Sequence, residues 1–175
     1  MKSQDSSSQL RLATLTDAEL VRDISAEAYV PAYLPAIGIV PKPATEDYSE
    51  RIERGQVWIL VQGPSAIGVL VLEDGDTWLT VYSIAVMPQF QGFGFGRVLL
   101  DWADRRASIA GLSESRLYTN ARMKENLALY QHCGYVITGT RPHPSRPGEM
   151  LVDLHRPTTA KPAAHLSLFE KGVPT

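Results

Sequence analysis

From Gln56 onward, apolar positions recur with the period of two that belongs to β-strands. Val57-Trp58-Ile59-Leu60-Val61 and Ile67-Gly68-Val69-Leu70-Val71-Leu72 are β-rich runs separated by Gly63-Pro64-Ser65. Two such runs about a short glycine-proline turn predict an antiparallel hairpin. Asp74-Gly75-Asp76 marks a second turn, and residues 77–86 are then apolar on both alternating sets, Tyr82, Ile84 and Val86 against Val81 and Ala85. A strand that is apolar on both faces belongs in the middle of its sheet.

On either side of this block the period lengthens. Leu20, Val21, Ile24 and Ala28 have helical spacing, and Thr16-Asp17-Ala18-Glu19 just before them has the spacing of a capping box, which predicts a helix over 17–29. Leu10-Arg11-Leu12 alternates as a short strand ahead of it. Pro31, Pro35, Pro41 and Pro43 interrupt the following stretch, so a second helix is expected only from about Thr45 to Gly55. Downstream, Val98, Leu99, Trp102, Ala103, Ala107 and Ala110 predict a helix with Gly111 past its end. A strand over 116–119, a helix over 125–132 closed by Gly134, a strand over 135–140, a proline-rich loop over 141–148 and a last strand over 149–154 complete the pattern. Polar, serine-rich residues 1–9 read as a flexible leader, 10–154 as one domain and 155–175 as a tail. The tail carries one apolar cluster, Leu166-Ser167-Leu168-Phe169, which could dock on the domain or on a second subunit and so leaves a homodimer open.

Composition narrows the class. With 175 residues, 44% apolar and 21% charged, the chain is ordinary globular material for a single domain. Seventeen Lys and Arg against nineteen Asp and Glu give a net charge of −2, which argues against a nucleic-acid partner or an anionic membrane surface. No apolar run reaches the length of a membrane span, and the N-terminus lacks the apolar segment of a signal peptide, so a cytoplasmic location is predicted. Cys133, the one cysteine, cannot close an internal disulfide. His132, His143, His155 and His165 have no metal-ligand spacing, and no metal is expected.

The chemistry concentrates in Gln89-Phe90-Gln91-Gly92-Phe93-Gly94-Phe95-Gly96-Arg97, between the central strand and a helix. A helix start offers unpaired amides and the positive end of a dipole, which together suit an anion. Glycines at 94 and 96 would let amides approach phosphate oxygens without a Cβ between them. A triphosphate loop needs Lys-Ser/Thr after its last glycine, and here Arg97-Val98 follows. The dinucleotide pattern Gly-x-Gly-x-x-Gly fails from Gly92, where Arg97 takes the third place, and from Gly94, where Leu99 does. Glycines alone leave a ligand-free turn equally open.

The flanking residues carry a resemblance. Ser83-Ile84-Ala85-Val86-Met87-Pro88 followed by Gln91-Gly92-Phe93-Gly94-Phe95-Gly96 resembles the acyl-CoA-binding motif of the GNAT superfamily of N-acyltransferases. Leu117-Tyr118-Thr119-Asn120, Asn126-Leu127-Ala128-Leu129-Tyr130 and Cys133-Gly134-Tyr135 resemble that family's next strand, helix and closing pair. The resemblance implies an α/β fold: a mixed, mostly antiparallel sheet of about seven strands flanked by about four helices, with a splay between the two central strands. It also implies acetyl-CoA as cosubstrate. Its pyrophosphate would lie on the amides of Gln91, Gly92, Phe93, Gly94, Phe95 and Gly96. Arg97 either adds charge or is solvated. The pantetheine arm would run along Ile84, Ala85 and Val86, with the Val86 amide polarising the thioester carbonyl. Asn120 and Asn126 join the cofactor residues through the second motif. Tyr130, one turn after Asn126, would assist the departing thiolate as an acid, since a phenol is protonated at neutral pH.

Many relatives place a glutamate early in the central strand as a base, where this chain has Thr80-Val81-Tyr82. Ser83, Glu73, Asp74, Glu46, Asp47 or a water chain are the remaining candidates. The acceptor side is expected from the first two helices and the 141–148 loop, with Tyr29, Tyr33 and Tyr48 as an aromatic wall beside the Asp47 carboxylate, and with Ser83 and His143 near them. The implied activity is transfer of an acetyl or short acyl group to a primary amine of unidentified acceptor by direct attack in a ternary complex. The alternative is an acyl-CoA-binding regulatory module without turnover, for which the missing carboxylate is the one support.

Overall fold

A computed structural model describes residues 8–158. Strand β1 (Ser8–Leu12) leads into helix α1 (Ala18–Ile37), and a short helix α2 (Ser49–Glu53) precedes the hairpin β2 (Val57–Gln62) and β3 (Ser65–Asp74). Then come β4 (Trp78–Val86), α3 (Phe95–Ile109), β5 (Glu114–Asn120), α4 (Lys124–His132), β6 (Val136–Pro142) and β7 (Met150–Pro157). Residues 1–7 of the expected leader and the 166–169 cluster lie outside the described residues. Ser8 and Gln9 belong to β1, where they pair with Gln62 and Val61, and 155–157 extend β7 rather than opening a tail.

The seven strands form one sheet in the order β1-β2-β3-β4-β5-β7-β6, antiparallel throughout except where β4 meets β5. Alternation along β2 and β3 sorts its two faces. Val57, Ile59, Val69 and Val71 meet Val21 and Ile24 of α1 and Ile52 of α2, whereas Leu60, Leu70 and Leu72 meet Leu99, Leu100 and Ala103 of α3. These strand residues are almost fully buried, and each stabilises the fold by about 1.5–3 kcal/mol of transfer free energy.

Two irregularities open the sheet at its centre. The β4–β5 ladder is only three pairs long, Trp78–Glu114, Leu79–Ser115 and Thr80–Arg116. On the other side of β4, Val81 pairs with Leu72 and Ser83 with Val71, which leaves Tyr82 as the extra residue of a bulge. A bulge bends and twists its strand. Beyond Thr80, β4 turns away from β5, and a strand in mid-sheet is left with one open edge over 81–86.

Helix α1 runs eight residues past the end predicted from its periodicity, through Pro31 and Pro35 to a left-handed cap at Gly38, whose φ is 72° and whose N–H donates to Leu34. An interior proline costs a helix about 3 kcal/mol, through the clash of its ring and the carbonyl four residues back that it leaves without a donor. Here those carbonyls belong to Glu27 and Pro31 on the exposed face, so water can satisfy them. The capping box of this region, Thr14–Asp17 rather than Thr16–Glu19, closes a 3-10 turn over Leu15–Asp17 that leads into α1. Helix α2 starts four residues later than expected because buried Tyr48 donates its hydroxyl to the Pro43 carbonyl at 2.7 Å, and Asp47 accepts from the Ser49 N–H at 3.0 Å. Those contacts hold residues 42–48 in turns.

Candidate active site

Pairing alternates along β4: Ser83, Ala85 and Met87 face β3, the last through its N–H to Ile67 at 2.9 Å, so the backbone groups of Ile84 and Val86 face the open edge. Tyr29 of α1 occupies the first of these positions. Its hydroxyl donates to the Ile84 carbonyl at 3.0 Å, accepts from the Ile84 N–H at 3.2 Å and contacts Ser83 Oγ at 3.0 Å. The Val86 carbonyl accepts from Gln91 Nε2 at 2.8 Å, which ties the glycine turn to the strand end.

On one side of this edge lies a cleft of about 680 Å³. Its floor is 84–86, its far wall is α4 with Asn126, Leu129 and Tyr130, and its mouth is the turn from Gln91 to Arg97. Gly92 and Gly94 have φ of 82° and 85°, in the left-handed region that favours glycine, and they aim the chain into α3. The amides of Gly94, Phe95, Gly96 and Arg97 precede the first intrahelical bond, from Val98 N–H to the Gly94 carbonyl at 3.1 Å. Arg97 is half-exposed, 3.6 Å from Asp101, while Arg122 and Lys124 also line the cleft. Amides at a helix start, two left-handed glycines and three cations fit a pyrophosphate.

A second cleft of about 430 Å³ adjoins the first, between Ile37 and Pro43, the middle of β4, β5 and the turn after β6, which starts at His143 because Arg141 and Pro142, expected in a loop, pair with β7. The two clefts share Tyr29, Tyr33, Ile84 and Tyr130. Tyr130 is 6% exposed, packs edge-on against the Tyr135 ring at 6.2 Å, and its hydroxyl has no hydrogen-bond partner among the described residues. Burial pushes the Tyr130 phenol well above its ordinary value, with the neighbouring Tyr29 and Tyr33 adding to the effect. The group therefore stays protonated and keeps a proton to offer at the junction.

Several expected site residues are elsewhere. Phe93 points to solvent, 76% exposed, and does not line the cleft beside the glycine turn. Asn120 lies on the second cleft, where its side chain donates to Glu149 at 2.6 Å and accepts from the Arg122 N–H at 2.9 Å. Gly96 does line the cleft beside the turn, but without a left-handed φ, and a Cβ there would meet Leu129 Cδ2 at 3.2 Å, so it also packs α3 on α4. The wall of Tyr29, Tyr33, Tyr48 and Asp47 does not form. Tyr48 is 1% exposed behind the site, burial pushing its phenol up to about 12, and Asp47 is at the surface bonded to Ser49. Among the candidate bases, Glu46 accepts from Tyr82 at 2.7 Å and from Arg51 at 2.8 Å, Arg51 also holds Glu73 at 2.6 Å, and Asp74 meets Arg106 at 3.2 Å. None of these carboxylates lines either cleft.

Other residues were not singled out from sequence. Ala28, Ala32 and Ala36 wall the cleft beside the glycine turn at intervals of four, a signal visible only once α1 is carried through Pro31. Arg122, Lys124 and Lys42 are lining cations whose role depends on the tertiary placement of their elements. Asn126 lines the cleft beside the glycine turn and donates to the Tyr33 hydroxyl at 3.1 Å. Among the described residues no cluster of three His, Cys, Asp or Glu side chains is placed to hold a metal ion, and no helix is long and apolar enough to cross a membrane.

Comparison with known proteins bears on this arrangement. Residues 53–137 match the model of the Acetyltransferase (GNAT) domain. Over 100 residues, 57% of this chain and 64% of the relative, the sequence is 29% identical to an uncharacterized N-acetyltransferase, YvbK, of Bacillus subtilis (strain 168). The match thus spans less than two thirds of that relative's length. The fold is similar to that of the PaiA N-acetyltransferase of Thermoplasma acidophilum, solved in complex with coenzyme A, with a TM-score of 0.71 and 17% identity over 86% of this chain and 99% of that one. It is also similar to the ribosomal-protein-S18-alanine N-acetyltransferase of Escherichia coli, with a TM-score of 0.67 and 18% identity over 91% and 99% of the two chains. The matched stretch takes in the glycine turn and α4, and the seven-stranded sheet splayed between β4 and β5 has the fold of these N-acetyltransferases.

Proposed function

We propose that the protein transfers an acetyl group from acetyl-CoA to a primary amine by direct attack, with the two substrates entering from opposite sides of the splayed strands. The observation that carries this reading is the meeting of two clefts at Tyr130 and the Ile84 edge, one of which opens on the glycine turn and the start of α3 while the other does not. The PaiA structure, solved with coenzyme A, supports the choice of carrier.

Acetyl-CoA would supply a thioester, the electrophile of the reaction. The amides from Gly94 to Arg97, with Arg97, Arg122 and Lys124, hold the pyrophosphate at the mouth. Val86 N–H, on the open edge, orients the arm and is the donor available to an oxygen that gains charge during attack. Asn126 borders the same path. As the C–N bond forms and the C–S bond breaks, negative charge collects on sulfur, and the Tyr130 hydroxyl donates to it. A phenol held above its ordinary pKa acts first as a hydrogen-bond donor, and the thiolate finally takes up one proton while the amine nitrogen loses one.

No carboxylate lines the acceptor cleft, so the nucleophile enters as the free amine, its proton lost to water. Ser83 and Tyr29, whose hydroxyls touch each other at 3.0 Å, line that cleft together with the His143 ring. Release of free thiol on mixing the protein with acetyl-CoA and a panel of primary amines tests the proposal. Acetyl-CoA that binds without thiol release from any amine would instead favour a regulatory acyl-CoA-binding module.

A further inference from the structure

The charge on the second cleft is one-sided. Four lining side chains are basic, Lys42, Arg141, His143 and Arg146, and none is Asp or Glu. In a chain with a net charge of −2 this is a local concentration, not a reflection of the whole. The neighbouring carboxylates are already engaged: Asp153 holds Arg141 Nε at 2.9 Å, and Glu149 turns to Asn120 at 2.6 Å and Arg122 at 3.7 Å. Lys42 and Arg146 have no carboxylate within ion-pair distance among the described residues.

His143 completes the set as a donor. Its Nδ1 accepts from the Ser145 N–H at 3.2 Å, so in the neutral ring the proton is on Nε2. Burial and nearby Arg146 hold its pKa below the ordinary value, which favours the neutral ring. Pro142 ends β6, and Pro144 and Pro147 stiffen the loop that presents His143 and Arg146.

Resting on the acetyl-transfer reading, we infer that the acceptor is a small amine bearing its own anionic group, a carboxylate or a phosphate monoester. Lys42 and Arg146 receive the anion and His143 donates to it. Arg and Lys bind such groups through charge-assisted hydrogen bonds, and a polyamine would place further positive charge among cations with no carboxylate to hold it. The same surroundings disfavour an ammonium and favour the free amine, which answers the lack of a carboxylate base in the cleft.

The test separates binding from turnover. Protein loaded with CoA is titrated calorimetrically with N-acetylglycine, N-acetylalanine, N-acetylglutamate, N-acetylphenylalanine and N-acetylated phosphoethanolamine, each against its neutral amide or alcohol. The anionic member of at least one pair is expected to bind about ten-fold tighter, the scale of one charge-assisted hydrogen bond, and Lys42→Gln with Arg146→Gln is expected to abolish the difference. Preference for a carboxylate or for the phosphate identifies which anion is taken. No anionic preference in any pair overturns the inference. Thiol-release rates with the parent amines run in parallel: spermidine outpacing every anionic amine also overturns it, while leaving acetyl transfer intact. Anionic preference in binding with no thiol release from any amine supports the anion site and contradicts the acetyl-transfer reading.

Discussion

The hydroxyl of Tyr29 closes a ring on the backbone of Ile84, accepting from its N–H at 3.2 Å and donating to its carbonyl at 3.0 Å. A helix side chain thereby satisfies the two backbone groups that β5 leaves unpaired when it diverges from β4. Burial raises the Tyr29 phenol above its ordinary value, so the donor is permanent at physiological pH. Tyr29→Phe keeps the ring and removes the bridge. The expected loss is about 1 kcal/mol, with Tm lower by roughly 2–4 °C in calorimetry. An unchanged Tm would mean that water replaces the hydroxyl at no cost.

Tyr130 is the complementary case, because its hydroxyl makes no hydrogen bond that the fold would miss. Tyr130→Phe is expected to leave Tm and acetyl-CoA affinity almost unchanged while lowering kcat about 100-fold, on the scale of general acid catalysis. Calorimetry and steady-state kinetics on the same preparation check both halves. A wild-type kcat, with chemistry rate-limiting, would leave Tyr130 a packing residue.

Gly96 separates cradle from core. From the glycine pattern, a valine at 96 is expected to fill the phosphate site and spare folding. The 3.2 Å approach of a Cβ to Leu129 Cδ2 changes that expectation: Gly96→Val should lower stability by about 1–3 kcal/mol through overpacking between α3 and α4. Acetyl-CoA affinity should fall with it, since Leu129 lines the cleft. Thermal melting checks the first effect, and an unshifted Tm would contradict it.

Acid should weaken the entry to α1. Asp17 accepts both Arg11 guanidinium nitrogens at 2.8 Å and the Thr14 N–H at 2.8 Å, and the Arg11 contact first, then Thr14, holds its carboxyl well below the usual carboxylate range. A lowered folded-state pKa means stability that is fully present above the unfolded-state value near 4 and is lost as pH falls through the folded-state value. The Tm gap between wild type and Asp17→Asn should therefore be constant at neutral pH and shrink below about pH 4. A gap that persists undiminished in acid would show that Asp17 acts through geometry alone.

What was legible in the sequence follows the strength of local signals. The hairpin of β2 and β3, the two-faced strand β4 and the glycine turn into α3 are set by period and by turn residues, and they form at the expected places. Pro31 and Pro35 misled because a proline's cost depends on whether its orphaned carbonyl reaches water, a tertiary property. With α1 cut short, the Ala28, Ala32, Ala36 wall and the position of Lys42 were out of view. Asn120 and Phe93 show the limit of motif reading: a matched position fixes the chain's path, whereas the direction of a side chain depends on what else competes for it, here Glu149 and open solvent.

The central claim is that both substrates are present together at the splay, with transfer directly between them. It is tested by initial rates measured over a grid of acetyl-CoA and acceptor concentrations. Cys133 is buried away from both clefts, and neither cleft offers another thiol, so no acetylated enzyme is expected. Double-reciprocal plots should intersect, and protein incubated with acetyl-CoA alone should gain no acetyl mass. Parallel lines together with an acetylated protein would contradict the account, because they would place a covalent step where two open clefts meet.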